Sequence, residues 1–199
     1  MNTDHDLRRA LTLARIALAF GRVDRVTRHE DGVRPETDSD HTVMLGLIAC
    51  ELAPPSLDRG RIAAFALVHD LPEVYAGDTP TLAISAEALA AKQAREDAAR
   101  ERLTVELGDA SWLAALLAAY EAQREPEARF VRLIDKVLPR LTHAFNGCVA
   151  ARRITDRQGF LAAQARHFEA LREEYGEFPA ALDLLRSAIR VAEEAWPHA

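Results

Sequence analysis

Two histidines and two aspartates stand in apolar helical stretches of this sequence, where packing alone does not account for them. His69 and Asp70 follow the run IAAFALV without any loop signal, and Asp135 lies inside RFVRLIDKVL. His41 begins the apolar stripe of another predicted helix. A carboxylate that is buried without a compensating cation costs several kcal/mol. A divalent ion would neutralise both aspartates, and the two imidazoles would complete a mixed nitrogen and oxygen ligand set.

Each of these residues also has an ordinary explanation when it is taken alone. An inward histidine is more often a hydrogen-bonded core residue than a ligand, and a His-Asp doublet can simply end a helix. Asp135 could pair with Arg132, which precedes it by three residues on the same helix. Taken together, two buried carboxylates need more than hydrogen bonds, and a metal ion accounts for all four positions. We therefore predict a metal site whose ligands are His41, His69, Asp70 and Asp135.

The type and number of the ions follow from the ligand set. Imidazole nitrogen with carboxylate oxygen favours Mn, Co, Fe, Ni or Zn, and makes Mg or Ca less favourable. No histidine occurs between His69 and His143, so the further histidines expected for a dinuclear site are missing from that interval. We therefore expect one divalent metal ion, with one or two water molecules completing its coordination.

Three further residues could act beside such an ion. Glu73 follows Asp70 by three positions, where it could take a proton from a metal-bound water or simply be a surface charge at a helix end. Asp78 could cap a helix or accept a hydrogen bond from a substrate hydroxyl. Arg28 belongs to a group of four arginines within residues 22–34, and could hold a phosphate by paired hydrogen bonds.

Helices must position these residues, because the composition is rich in Ala, Leu, Arg and Glu and has few β-branched runs. The predicted helices cover about 6–20, 39–52, 57–69, 85–107, 111–123, 126–145, 156–175 and 179–196, with a helical turn at 72–76. Ser39 or Asp38 is the predicted N-cap of the helix that carries His41. The segment 21–39 is predicted as an irregular polar connection.

We expect one all-α domain over residues 1–199, because the sequence has no repeat and no long linker. Its site-bearing core would cover about 15–145, and its C-terminal helices about 156–196. The charges at positions 4–15 favour an amphipathic first helix over a signal peptide, and no run of 18 apolar residues predicts a membrane span.

Charge and cysteine content narrow the function classes. The 25 basic and 31 acidic side chains give a formal net charge of −6, which argues against non-specific nucleic-acid binding. The two cysteines have no CxxC partner and are expected to be free thiols in a reducing compartment. We therefore expect a cytoplasmic protein that binds neither nucleic acid nor a membrane.

The ordered set of motifs resembles the HD-domain metal phosphohydrolases, whose signature is H…HD…D on a helical bundle. Four blocks resemble, in order and spacing, those of the small 5′-deoxynucleotidase branch, and they are GRVDRVTRH, RPETDSDH, HDLPEVYAGDTP and EPEARFVRLIDK. This resemblance covers about residues 15–145. It implies an HD-domain helical bundle with one divalent metal ion in its core, and hydrolysis of a (deoxy)nucleoside 5′-monophosphate to nucleoside and phosphate.

The resemblance also implies roles for individual residues. Carried over by motif, Glu73 would orient or deprotonate the attacking water, Arg28 would contact the phosphate, and Asp78 would meet the sugar. The two histidines and two aspartates named above would bind the metal. The resemblance further implies a cytosolic homodimer that acts on a small-molecule nucleotide. Family members commonly carry an aromatic residue after the first-block arginine, whereas this chain has His29 and Glu30, which leaves the base preference open.

The same motifs are also compatible with two other functions. A deoxynucleoside triphosphate triphosphohydrolase would use the same four ligands and release tripolyphosphate. A cavity deep enough for three phosphates, lined by further Lys or Arg, would favour that rival. A non-catalytic HD module that senses a nucleotide would have little need for a water-activating carboxylate, so the presence of Glu73 and Asp78 argues against it.

Overall fold

The computed structural model describes residues 3–79, 84–108 and 111–197, and these fold as helices with one small sheet. In chain order the elements are α1 (Thr3–Phe20), β1 (Asp24–Arg28), β2 (Pro35–Thr37), α2 (Asp38–Leu52), α3 (Arg59–Val68), α4 (Glu73–Ala76), α5 (Ala86–Leu107), α6 (Trp112–Ala122), α7 (Pro126–Asn146), a 3₁₀ turn (Ala151–Arg153), α8 (Arg157–Glu174) and α9 (Pro179–Ala195). The predicted all-α fold is confirmed, and every predicted helix is present within three residues of its expected ends.

The irregular connection predicted for 21–39 is wrong in part, because it contains an antiparallel ribbon of β1 and β2. Asp24 lies opposite Thr37 and Arg28 opposite Pro35, with an irregularity of register between the two pairs. Asp31 closes the turn by accepting hydrogen bonds from the backbone N–H groups of Val33 and Arg34. Strands this short and irregular give almost no period-two signal in a sequence.

The N-cap predicted at Ser39 or Asp38 is also wrong, since Thr37 caps α2. The Thr37 hydroxyl accepts a hydrogen bond from the Asp40 N–H at 3.2 Å, and the Thr37 N–H donates to Asp40 Oδ2 at 3.0 Å. This reciprocal pair is a capping box. Because the last residue of β2 is the cap of α2, the ribbon leads into the helix without a loop and is held close to its first turn.

Helix α7 lies at the centre of the bundle, where it packs against α9, α2, α3 and β1. Its buried apolar side chains include Phe130, Ile134 and Leu138, and these belong to the main core. Asp135 is buried among them. Pro139 lies four residues after Asp135 and has no N–H, so the Asp135 carbonyl lacks its usual helical hydrogen bond.

Smaller clusters complete the packing. Ile16 and Phe20 of α1 pack with Leu103 of α5 and Leu117 of α6, which closes the bundle on the side of α4. The two cysteines are free thiols, and Cys148 packs in a cluster with α8 and α9. Within the described ranges, no helix has the length and apolar character needed to cross a membrane.

Candidate metal centre

The structure brings the four predicted ligands together at one place in the core. His41 lies in the first turn of α2, His69 and Asp70 directly follow α3, and Asp135 lies on α7. One potential ligand atom from each residue lies within 4.8 Å of all the others. Two ligand atoms on opposite sides of a transition-metal ion, at about 2.1 Å each, are about 4.2 Å apart. The cluster can therefore close around one ion with small side-chain movements.

Each of the two imidazoles has an outer hydrogen-bond acceptor at Nδ1. His69 Nδ1 lies 2.8 Å from the Ala66 carbonyl, which can only accept, so Nδ1 carries the hydrogen and Nε2 keeps a lone pair. His41 Nδ1 likewise lies 2.8 Å from Glu36 Oε1. Such outer carboxylate and carbonyl partners are typical of metal-binding histidines.

The Nε2 atom of His69 supports the fit of a metal ion most directly. It is buried and has no hydrogen-bond partner in the described part of the chain. Asp70 Oδ2 lies 3.0 Å away, but in a geometry that makes no hydrogen bond. A buried nitrogen lone pair beside two carboxylates is a donor set that a divalent ion would complete.

His41 connects two carboxylates of the centre. Its Nε2 lies 2.8 Å from Asp135 Oδ1, and its Nδ1 lies 2.8 Å from Glu36 Oε1. Burial and the charge of Arg25 lower the pKa of His41, but the hydrogen bonds to Asp135 and Glu36 outweigh them and raise it to about 9. A proton on His41 therefore offsets carboxylate charge until a metal ion displaces it.

Arg25 is the second source of positive charge, although the sequence pattern does not distinguish it from the other arginines of residues 22–34. Its Nη1 lies 2.9 Å from Asp38 Oδ1, 2.8 Å from Asp70 Oδ2 and 3.7 Å from Glu73 Oε2. These three carboxylates have ligand atoms within 4.8 Å of one another, so they form a group that could itself hold a cation. The guanidinium of Arg25 supplies the positive charge at that position.

The carboxylates around Arg25 have very different pKa values. Burial, together with the charges of Asp70 and Asp38, raises the pKa of Glu73 to about 10. Burial raises the pKa of Asp38 to about 6, although Arg25 lowers it. Burial acts on Asp70 too, but His69 and Arg25 outweigh it and hold the pKa of Asp70 well below its usual range. A divalent ion nearby would add positive charge and favour the ionised form of Glu73.

Glu73 and Asp78 both line the cavity that opens onto this cluster. Glu73 is the first residue of α4, and its buried Oε2 has no hydrogen-bond partner among the described residues. Asp78 follows Gly77, which ends α4 at φ +70°, a conformation that glycine adopts without strain. Asp78 Oδ2 accepts a hydrogen bond from the Val26 N–H at 2.9 Å, so it also fastens β1 to this wall.

Arg28 does not reach the cavity. Its Nη1 donates to the Val33 carbonyl at 3.4 Å, and its own carbonyl accepts a hydrogen bond from Asn146. The cavity lining in the described ranges includes Arg25 but not Arg28. Arg25, rather than Arg28, therefore lies in the cavity wall beside the four-residue cluster.

The cavity has a volume of about 930 Å³, which is in the size range of small-molecule sites. Beyond the cluster, one wall is formed by α5 and α6 and the other by α7 and α8. These walls were missed because their residues form no motif. They include Lys92, Glu96, Arg100, Tyr120, Glu121, Arg132, Lys136, Arg140, His143, Gln164, Arg166 and His167.

Known proteins match this chain in sequence and structure. Residues 21–175 match the family model described as HD domain, a range that contains all four predicted ligands. Human 5′-deoxynucleotidase HDDC2 is 32% identical over 134 residues, which is 64% of each chain. The 5′-deoxynucleotidase hdd1 of Schizosaccharomyces pombe is 33% identical over 110 residues, which is 52% of this chain and 54% of its own. The chain thus spans less than two thirds of the length of these relatives.

A crystal structure gives the broadest coverage among these matches. It comes from Magnetospirillum magnetotacticum MS-1 and is described as a predicted metal-dependent phosphohydrolase. Its TM-score is 0.69 at 25% sequence identity, and the match covers 94% of this chain and 97% of that one. The helical architecture of this chain is therefore that of a known fold.

The proton on His41 predicts a pH-dependent metal affinity. Because the pKa of His41 is raised to about 9, metal binding at neutral pH must release this proton, so affinity should rise about tenfold per unit from about pH 6 to about pH 8.5. Competition against a chelator would measure the affinity, and calorimetry in buffers of different ionisation enthalpy would count the protons. Glu36→Gln removes one of the groups that raise the pKa and should weaken this dependence. Equal affinity across the range with no proton release would contradict the assignment.

The position of Arg25 among three carboxylates predicts how many metal ions the protein binds. In Arg25→Ala, the carboxylates of Asp38, Asp70 and Glu73 lose their resident cation, and a second divalent ion should take its place at about pH 8. Metal analysis after dialysis against fixed free Mn²⁺ should give one ion per chain in the unmodified protein and two in the variant. Arg22→Ala is the matched control, because Arg22 is exposed. A value of one ion in every variant would contradict the interpretation.

Proposed function

The chain belongs to the HD-domain family, and we propose that it is a metal-dependent phosphohydrolase acting on a (deoxy)nucleoside 5′-monophosphate to give the nucleoside and phosphate. The observation that carries this proposal is the position of Glu73. Its Oε2 atom is buried and has no hydrogen-bond partner among the residues described. Glu73 also lies beside the ligand cluster, in the wall of a cavity large enough for a small molecule. This is the placement required of a group that orients or deprotonates an attacking water.

We propose one divalent ion held by His41, His69, Asp70 and Asp135, with Mn, Co, Fe, Ni or Zn favoured over Mg. When bound, the ion would lower the pKa of a water molecule and polarise the phosphate. The nitrogen-containing donor set supports the choice of ion. The guanidinium of Arg25 in the adjacent carboxylate group supports the count of one.

Four side chains near the ion would position the water and the substrate and balance their charges. Glu73 would take the proton of the attacking water, and Arg25 would hold Asp70 and Glu73 in place while offsetting negative charge on the phosphate. Lys136 Nζ lies 2.7 Å from Asp135 Oδ2 and would add positive charge on the opposite side. Asp78, fixed by the Val26 N–H, would accept a hydrogen bond from the sugar with its second oxygen.

The names of the sequence relatives support the monophosphate substrate, since both are called 5′-deoxynucleotidases. In this proposal Arg25 takes the phosphate-binding role that was predicted for Arg28, because Arg25 lines the cavity and Arg28 is not among its described lining residues. On the family resemblance we also propose that residues 1–199 form a single domain. The same resemblance suggests a homodimer that works in the cytoplasm on a small-molecule nucleotide.

A specific observation keeps the triphosphohydrolase as the second candidate. Basic side chains line the cavity beyond the ligand cluster, as an enzyme that holds three phosphates would require. Several of them have acidic neighbours, however. Arg100 and Arg132 lie 3.6 Å and 3.7 Å from Glu121, and Lys136 pairs with Asp135. Their charge is therefore partly offset within the chain, and the monophosphatase stays the leading candidate.

Product analysis tests the function. The protein loaded with Mn, Co, Zn or Mg should release orthophosphate from deoxynucleoside 5′-monophosphates, and more slowly or not at all from triphosphates. Ion chromatography of the products decides between the candidates. Tripolyphosphate from triphosphate substrates, without orthophosphate from monophosphates, would establish the triphosphohydrolase. Nucleotide binding without any product under all four ions would instead indicate the non-catalytic sensor.

Variants test the assigned roles. Asp70→Ala and Asp135→Ala should lose both metal and phosphate release, because each removes an anionic ligand. Glu73→Gln should keep the metal and bind nucleotide, yet lose about 10²- to 10⁴-fold in turnover, because the group that accepts the proton is gone. Glu101→Gln, at an exposed position of α5, is the control and should behave as the unmodified protein. Full activity in Asp135→Ala would contradict the assignment of Asp135 as a metal ligand. Unchanged turnover in Glu73→Gln would show that Glu73 is not the proton acceptor.

A further inference from the structure

Tyr120 on α6 lines the cavity beside the metal centre, and its ring is held there by packing on several sides. Only 3% of the residue is exposed. The rings of Tyr120 and His69 meet edge to face with their centroids 6.3 Å apart, and Phe65 packs at 5.9 Å. Arg132 of α7 lies over the ring, with its Cζ 5.0 Å from the centroid. These neighbours leave the ring little freedom to turn away from the cluster.

The three side chains that pack on the ring do not take the hydrogen of the Tyr120 hydroxyl. Phe65 has no acceptor, and the guanidinium of Arg132 can only donate. His69 Nε2 could accept a hydrogen, but it has no hydrogen-bond partner within the described ranges. Burial and the charge of Asp135 raise the pKa of Tyr120 above its usual range, despite the opposing charge of Arg132. The phenol therefore keeps its hydrogen at neutral pH and can donate it to a molecule in the cavity.

Hydrolysis of a nucleoside 5′-monophosphate needs such a donor at the leaving oxygen. Cleavage of the P–O5′ bond leaves an alkoxide, which is a stronger base than a phenolate, so a tyrosine can protonate it favourably. Glu73 takes a proton from the attacking water in the proposed function, so it does not supply one to O5′ in the same step. The attacking and leaving oxygens lie roughly in line on opposite sides of phosphorus. The acid must therefore be a second group, placed on another side of the cluster from Glu73.

Other side chains in the cavity lining are less suited to protonating O5′. Lys136 Nζ lies 2.7 Å from Asp135 Oδ2, which holds its proton in an ion pair. Burial lowers the pKa values of His143 and His167 to about 4, so neither ring carries the proton of an imidazolium at pH 7. Tyr120 combines a hydrogen that its ring neighbours do not accept with a position against a predicted metal ligand.

Glu73 and Tyr120 contact the cluster through different residues, as a separate base and acid require. Glu73 Oε2 lies 3.7 Å from Arg25 Nη1, which in turn lies 2.8 Å from Asp70 Oδ2. Tyr120 instead contacts His69. Glu73 belongs to α4 and Tyr120 to α6, and both line the same cavity. A phosphate bound at the cluster would therefore have a carboxylate and a phenol among its neighbours.

We propose that Tyr120 is a catalytic residue that donates its hydroxyl hydrogen to O5′ of the leaving nucleoside, an assignment that rests on the proposed phosphohydrolase function. The oxygen of the attacking water bonds to phosphorus as the P–O5′ bond breaks. The water gives one proton to Glu73, and Tyr120 gives one proton to O5′. Glu73 then releases its proton to solvent and Tyr120 regains one from solvent. The products are the nucleoside and orthophosphate, and both side chains return to their starting states.

Substrates with different leaving atoms test this role. Metal-loaded protein is given a deoxynucleoside 5′-monophosphate, or the analogue in which sulfur replaces O5′, under single-turnover conditions that separate the chemical step from product release. A thiolate leaves without protonation, because a thiol is a much stronger acid than an alcohol. Tyr120→Phe removes only the hydroxyl, so it should lose about 10²-fold or more on the oxygen substrate and less than about threefold on the sulfur substrate. 4-Nitrophenyl phosphate, whose leaving group is also a weak base, should behave like the sulfur substrate.

Two control variants separate the loss of an acid from general damage to the site. Tyr75→Phe is the matched control, because the Tyr75 hydroxyl donates to Glu106 and Tyr75 is not among the described lining residues. Its ratio of oxygen to sulfur turnover should equal that of the unmodified protein, since any movement of α4 would affect both substrates alike. Glu73→Gln should slow both substrates by a similar factor, because both reactions need a proton taken from the water.

Binding and metal content provide measurements that do not depend on turnover. Tyr120→Phe should keep the metal content and the circular dichroism of the unmodified protein, because the ring and its packing are retained. Calorimetry in the slow Glu73→Gln background then measures nucleotide affinity with and without Tyr120→Phe. The two affinities should differ by less than about threefold, because the interaction with O5′ becomes strong only as negative charge develops in the transition state.

The possible results separate this assignment from the proposed function. Equal losses on the oxygen and sulfur substrates in Tyr120→Phe would give Tyr120 a structural or phosphate-binding role and overturn the assignment, as would unchanged turnover of the oxygen substrate. Nucleotide affinity that falls by about tenfold or more would also overturn it, because that loss belongs to the bound ground state. Each of these results leaves the phosphohydrolase function in place. Failure of the unmodified protein to hydrolyse any of the three substrates would overturn both proposals.

Discussion

Carboxylates buried in a helical core need compensating positive charge, and the metal centre is arranged around this requirement. The carboxylates of Glu36, Asp38, Glu73 and Asp135 are buried, and that of Asp70 is partly buried beside them. Each would carry a desolvation cost of several kcal/mol if it stayed ionised without a partner. Arg25 offsets part of this charge from the ribbon, and His41 offsets another part from α2. A divalent ion at the four-residue cluster would provide the remainder, so ion binding should also stabilise the folded state.

This requirement explains why elements distant in the sequence meet at one point. Arg25 is on β1, His41 is in the first turn of α2, and Asp135 is on α7. The capping box of Thr37 and Asp40 makes β2 continuous with α2, while Asp78 ties β1 to the segment that follows α4. Each of these local contacts has a modest energy, but together they hold opposite charges at hydrogen-bond distance. The geometry of the site is therefore a property of the whole bundle and of no single motif.

The grouping of the predicted ligands could be inferred from sequence because helix periodicity is a strong signal. His41 shares a helix face with Leu45 and Ile48, and Asp135 shares one with Val131 and Leu138, so both were expected to point inward. The ribbon was missed because its strands have five and three residues and an irregular register. Without that register, a cluster of four arginines does not reveal which one faces the core. The choice of Arg28 over Arg25 came from the motif resemblance, and the structure places Arg25 at the centre.

The opposite end of the cavity could not be inferred from the sequence for a different reason. Arg140 and His167 are separated by 27 residues and belong to different helices, and neither helix carries a motif around them. What distinguishes Arg140 is that its hydrogen bonds, among the described residues, all go to neutral acceptors, which only a structure can show. The cavity thus begins at a group of carboxylates that requires a cation and extends to the guanidinium of Arg140. A divalent ion at the four-residue cluster would meet the requirement of the carboxylates, and its remaining positive charge would attract a phosphate-bearing substrate to that end of the cavity.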